Sequence, residues 1–275
     1  MPNILNKDKQ VMVISALAEG MAIRQIERMT DIHRDTIMRL GVRVGQGCAR
    51  IMDEKMRGLD CCNIQVDEVW GFIQKKKRNL KETDNAREVG DVWTFCAIDA
   101  DTKLVPSYKV GKRDSLTANA FISDLASRLK NRVQLSSDAL PAYIEAVEKA
   151  FGADVDYGQI VKAYEAVETS PQRRYSPHKL VSVHTNVITG DPLPPFISTS
   201  YVERLNLTTR HHMRRLTRLT IAFSKKLENF EAAVGLYFAY YNFVKNHRTL
   251  RCTPAMAAGV VNSYWTVGDL VEMTT

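Results

Sequence analysis

Three carboxylates carry the clearest chemistry in this chain: Asp67, Asp138 and Glu203. Asp67 stands inside Ile64-Gln-Val-Asp-Glu-Val-Trp70, an apolar run where an unpaired carboxylate is expensive to bury. A residue so placed is paired, protonated or bound to a cation. Side chains alternate along a strand, so only one of Asp67 and Glu68 is expected to face a given site; Asp67 is the choice and Glu68 the substitute. Asp138 closes Val133-Gln-Leu-Ser-Ser-Asp138, where an aspartate also suits an ordinary turn. Glu203 has its own alternative, because Ser200-x-x-Glu203 reads as a capping box. Arg210 and Arg214 extend nearly the same helical face, where a cation could hold a phosphate. Three acids on three elements suit magnesium, which takes oxygen ligands and usually one or two carboxylates per ion. Two such ions, with manganese as a substitute, could activate water or a 3′-hydroxyl on one side and stabilise a leaving oxygen on the other.

Competing groups are weaker. Cys48, Cys61, Cys62, Cys96 and Cys252 form no C-x-x-C pair and suit free thiols. Asp99 and Asp101 flank a hairpin turn, and Asp154 and Asp156 are expected in a loop. His211 and His212 are adjacent on a helix and point to different faces. Gly41, Gly45 and Gly47 match no phosphate-loop spacing, which argues against a nucleotide-dependent enzyme.

The elements around these acids follow from periodicity. Lys7 to Ala18 and Ala22 to Met29 read as helices, with a third from about Arg34. Gly20 stops the first, a short turn at Thr30-Asp31-Ile32-His33 follows the second, and Ile32 plugs the core. This is the tri-helical helix-turn-helix pattern, whose last helix enters a major groove. His33, Arg34, Asp35, Met38 and Arg39 then lie on or near its exposed face. An ordinary helical hairpin is the other reading.

After Gly58, strands are expected at Asn63 to Ile73, Val92 to Asp99, Leu104 to Gly111, Val133 to Ser137 and Tyr157 to Tyr164. Helices are expected from Ser115, its own cap, to Leu129 and from Pro141 to Phe151. Residues 168–200, with Pro171, Pro177, Pro192, Pro194 and Pro195, read as an insertion or loop. Ser200 to His247 reads as two long helices breaking near Glu228. This order is that of the RNase H fold: an α/β domain with a mixed five-stranded sheet over 61–265, after an all-α helix-turn-helix domain over 1–60.

The formal charge is +7, and between Arg204 and Arg251 ten Lys or Arg face two acids. A second basic cluster holds Lys75, Lys76, Lys77, Arg78 and Lys81. Both suit a polyanion, and both suit plain solvated surface. No apolar run reaches the roughly 18 residues of a membrane span. No leader is evident, so a cytoplasmic, nucleoid-associated bacterial protein without a membrane partner is expected.

Taken together, the blocks Asp67-Glu-Val-Trp-Gly-Phe-Ile-Gln-Lys-Lys-Lys77, Ser137-Asp138-Ala-Leu-Pro-Ala-Tyr143 and Tyr201-Val-Glu-Arg-Leu-Asn-Leu-Thr-Thr-Arg210 resemble the transposases of the bacterial insertion sequence one family. Tyr240-Tyr-Asn-Phe-Val-Lys-Asn-His-Arg-Thr-Leu250 agrees. The resemblance implies a DDE triad of Asp67, Asp138 and Glu203, and double-stranded DNA, both element ends and target, as partner. It implies metal-dependent strand cleavage and strand transfer, in a homodimer or higher assembly. The family's N-terminal cysteine pairs for zinc have no counterpart before Cys48. That implies either recognition by the helix-turn-helix alone or a start shorter than the family's. A DNA-binding regulator with a degenerate nuclease domain, or a structure-specific nuclease, are the alternatives.

Overall fold

The computed structural model describes residues 5–164, 180–217 and 220–274. Three helices open it: α1 (Lys7–Ala18), α2 (Ile23–Thr30) and α3 (Arg34–Lys55). Ile32 is buried in the turn before α3, as the sequence requires. A sheet follows, from β1 (Asn63–Ile73), β2 (Gly90–Asp99), β3 (Tyr108–Gly111), β4 (Val133–Asp138), β5 (Val155–Tyr164) and β6 (Leu180–Thr189). Its order is β3-β2-β1-β4-β5-β6. β1 pairs antiparallel with β2 and parallel with β4, and β4 pairs parallel with β5.

Among the described residues the sheet therefore has six strands where five were expected, and the sixth lies in the stretch read as a loop. Residues 168–179, with Pro171 and Pro177, fall outside the described residues, as does Arg218 of the basic stretch. From Leu180 onward the chain pairs antiparallel with β5. Its Val-x-Val and Asn-Val-Ile-Thr runs suit a pleated surface better than a loop. Asp156, expected in a loop, lies on β5 and is held by Arg132 at 2.6 Å.

Two helices cover one face of the sheet: α4 (Ser115–Arg128) and α5 (Pro141–Phe151). Their Phe121 and Tyr143 rings sit 5.9 and 6.2 Å from that of Phe95 on β2. Asp114, not Ser115, caps α4, its carboxylate accepting from the Thr117 amide at 2.8 Å. The other face carries α6 (Ser200–His212) and α7 (Leu227–Ala239). The break between them is wider than expected. A short 3-10 turn at Arg214–Leu216 begins it, and Ser224 then leaves the helical path to accept the Gln74 amide at the end of β1. A π turn at Tyr240–Val244, α8 (Pro254–Ala257) and α9 (Val267–Thr274) finish the chain.

β3 is shorter than the expected Leu104 to Gly111. Pro106 has no amide proton to give a ladder. Asn242 of the π turn substitutes, donating to the Val105 carbonyl at 2.9 Å and accepting its amide at 3.0 Å. Behind α7 lies α3. A Cβ on Gly45 would stand 2.1 Å from the Ala232 carbonyl oxygen, so only glycine permits this helix crossing. One apolar core runs from Val13 on α1 through the strands to Val271 on α9. α3 thus joins the opening helices to the sheet.

Candidate functional site

β1 and β4 are in register only from Asn63↔Gln134 to Gln65↔Ser136. Beyond that point β4 leaves β1, which runs on beside β2 until Ser224 bridges it at Ile73, and an open notch lies at the carboxyl end of β4. Crevices of this kind, where neighbouring strands part, are where open α/β sheets place their chemistry. Asp67 and Glu68 border the notch from β1, and Asp138 from β4.

One carboxylate oxygen from each of Asp67, Glu68 and Asp138 lies within 4.8 Å of the others. The expectation that only Asp67 or Glu68 could reach the site is therefore corrected. The two do leave β1 on opposite faces: Asp67 meets Asn206 of α6, while Glu68 meets Tyr143 of α5. With no β4 partner beside them, both can bend around the free edge toward Asp138. Alternation fixes where a side chain starts, and a long one can still turn a corner.

Each acid is held. Asp67 Oδ2 accepts from Asn206 Nδ2 at 2.8 Å, and Oδ1 accepts the Glu68 amide at 2.8 Å. Glu68 accepts from Arg113 Nε at 2.5 Å and from the Tyr143 hydroxyl at 3.1 Å. Asp138 serves two readings at once. Oδ1 accepts the Leu140 amide at 3.1 Å, as a turn residue does, while Oδ2 lies 3.8 Å from Arg113 Nη2.

Burial pushes the Asp67 carboxyl up to about 7, and the charge of Glu68 adds to it against the pull of the Glu68 amide. Asp138 and Glu203 push the same way. Glu68 is raised by burial and by Asp138, with Arg113 opposing. Crowded, partly dehydrated acids of this kind gain from a cation. The cluster is all oxygen, the donor chemistry of magnesium or manganese.

Glu203 is not one of the three clustered acids. It sits in the first turn of α6, where Thr199 Oγ1 donates to it at 2.7 Å and Lys162 of β5 pairs with it. Ser200 is the first residue of the helix and not its cap, so the capping-box reading fails. Instead Gln65, buried on β1, accepts the Tyr201 and Val202 amides at 2.8 and 3.2 Å. Gln65 shares the face of Asp67 and so fixes the start of α6 against the notch. Asn206, one turn after Glu203, ties the same helix to Asp67 and accepts from Cys96 Sγ at 3.3 Å. The sequence contained a signal for both: a polar side chain two residues before Asp67, and another three after Glu203. Arg113 and Lys162 carried none.

The basic residues are dispersed. Arg210 Nη1 donates to the Leu216 carbonyl at 2.6 Å. Exposed Arg214 leans on the Gly20 carbonyl at 3.3 Å, at the turn between α1 and α2. Lys75 is paired with Asp84 at 2.8 Å, and Lys76 lies over the Trp70 and Phe72 rings. Lys77 is exposed. At the start of α3, His33, Arg34 and Arg39 are exposed. His33 Nδ1 accepts the Asp35 amide at 3.3 Å as the helix cap, and the Arg34 amide donates to Glu27 at 2.9 Å. Asp99 is structural, as expected: it is buried and accepts from Thr102 Oγ1 at 2.6 Å.

No described helix is long and apolar enough to cross a membrane. Among curated proteins the comparison finds no match. The family model of the IS1 transposase matches residues 181–244, a span holding β6, α6 and α7 with Glu203, Asn206, Arg210 and Arg214. Motif blocks spread along the chain, a sheet order extending that of RNase H and this match agree in a likeness to the IS1 transposases.

Proposed function

We propose that the chain cleaves and rejoins DNA strands at the terminal inverted repeats of an insertion sequence. The observation that carries this is the crowding of Asp67, Glu68 and Asp138 at the strand notch, with Glu203 close enough to raise Asp67 further. Asp67, Asp138 and Glu203 are the proposed triad. Magnesium held there would activate the attacking oxygen and stabilise the leaving oxygen of a phosphodiester.

The chain's own residues orient this set. Asn206 and the Glu68 amide fix the Asp67 carboxylate. Arg113 pairs with Glu68 and lies near Asp138, reducing repulsion among the acids. Lys162 keeps Glu203 turned toward β5. Thr199, four residues earlier at the start of α6, steadies it.

Residues 1–60 are the proposed DNA-binding unit. His33, Arg34 and Arg39 at the exposed start of α3 are its base and phosphate contacts. Lys75, Lys76, Lys77, Arg210 and Arg214 are the proposed phosphate-side residues, the bulk of a salt-sensitive affinity. Residues 61–265 form the catalytic unit. Two ends must be held in one assembly, which calls for a homodimer or a larger complex.

A cleavage assay on duplex DNA carrying the element's ends, with and without magnesium, tests the reading. Asp67→Asn is expected to keep end binding and lose cleavage. A fully active Asp67→Asn enzyme would overturn it.

A further inference from the structure

Among the described residues β6 is the last strand of the sheet, paired with β5 on one edge. Leu180–Thr189 contains no lysine, arginine, aspartate, glutamate, proline or glycine. Natural edge strands are normally protected by such residues, because an open row of amides and carbonyls templates another strand. Irregularities at both ends bound a regular run, Ser182–Val187. Within it Val183, Thr185 and Val187 lie opposite Lys162, Ile160 and Gly158, and so share the face that carries α6. Val183 is 45% and Val187 57% exposed.

We propose that this edge joins two copies of the chain, with β6 pairing antiparallel to itself about a two-fold axis at Thr185. The pattern is self-complementary, as an isologous contact must be. The axis sets Val183 opposite Val187 of the second copy, and the reverse. Thr185 meets its own equivalent, and His184 meets Asn186. Each exposed valine is covered by another, and no like charges are opposed. Nucleic acid does not fit this edge, because the strand offers no lysine or arginine to a phosphate.

The pairing also has a functional geometry. An axis normal to the sheet keeps α6 of both copies on one side. The two Asp67 notches then open in the same direction, across strand spacings that sum to on the order of 30 Å. The inference rests on the proposed function for its purpose, the joining of two ends. Its test needs neither DNA nor metal, so the two readings fail separately.

Sedimentation velocity of the full chain is expected to give a dimer of the 31.1 kDa protomer. The double variant Val183→Lys/Val187→Lys is expected to sediment as a monomer with an unchanged circular dichroism spectrum. Independently, Thr185→Cys, placed in a Cys62→Ser background, is expected to cross-link to its own equivalent on mild oxidation, since paired strands bring facing Cα atoms within disulfide reach. Peptide mapping of that cross-link completes the support. A monomeric wild type, a dimer that survives the lysine pair, or absence of the cross-link would each overturn the proposal; the cysteine variant decides if the lysine pair fails to fold.

Discussion

Asn206 Nδ2 donates to Asp67 Oδ2 at 2.8 Å, and this bond ties α6 to the acid at the centre of β1. Asn206 is buried, and its carbonyl oxygen accepts from Cys96, so its amide cannot flip without losing both partners. It is a positioning residue. Asn206→Leu is expected to reduce cleavage by about 10- to 100-fold, the range seen when an outer partner of a metal ligand is removed. End binding should be unchanged. Losing a donor to the ionised carboxylate also moves the acid limb of the pH–rate profile upward. A variant with a lower rate and an unmoved profile would show a packing defect instead.

The raised Asp67 carboxyl gives metal-free protein a defined pH dependence. Its folded value of about 7 lies above the 3.8 of an ordinary aspartate. Between those limits the folded state holds a proton that the unfolded state has lost. Stability from this group is therefore present below about pH 4 and is lost as pH rises through about 7. Glu68 is shifted in the same direction. Asp156, lowered to about 2 by Arg132, acts below this window. In chelator, Asp67→Asn should melt a few °C above wild type at pH 8, about 1 kcal/mol or more in a chain of this size, and the gap should close toward pH 4. Parallel melting curves from pH 4 to 8.5 would contradict the shift.

Gly45 tests the packing of α3 on α7. An added methyl would meet the Ala232 carbonyl at 2.1 Å, and backbone on both sides cannot yield cheaply. Gly45→Ala is expected to destabilise by about 1–3 kcal/mol despite the better helix propensity of alanine. Urea denaturation checks it; an unchanged midpoint would mean the helices are spaced more widely.

Arg34 tests the DNA-binding reading. Its side chain is exposed at the start of α3. Arg34→Ala is expected to weaken binding to the ends by about 1–3 kcal/mol if it makes a bidentate base contact. Competition with random duplex at fixed salt measures this. The variant should lose its preference for the ends, and an unchanged preference would remove Arg34 from base recognition.

Much of the fold was legible because it is written in local pattern. α1, α5 and β1 lie at the residues where periodicity, Pro141 and the apolar run of Asn63 to Ile73 put them. β6 was hidden by the prolines around it. Leu104 to Gly111 looked like one strand because Asn242, which replaces part of the ladder, is distant in sequence. In the site, Asp67 and Asp138 meet at the notch that the expected strand order implies. Glu68 was set aside on alternation alone, and its reach around the open edge depends on where β1 and β4 part. Glu203 was legible as an acid at a helix start. Its pairing with Lys162 depends on β5 lying beside α6, which no spacing reveals.

The central claim is that these acids hold a divalent cation. Manganese binding, read from the loss of the free-ion electron paramagnetic resonance signal in a titration of the metal-free chain, addresses it without DNA. Wild type is expected to bind, and Asp67→Asn and Asp138→Asn each to weaken binding by tenfold or more. Equal manganese affinity in all three proteins would contradict the account.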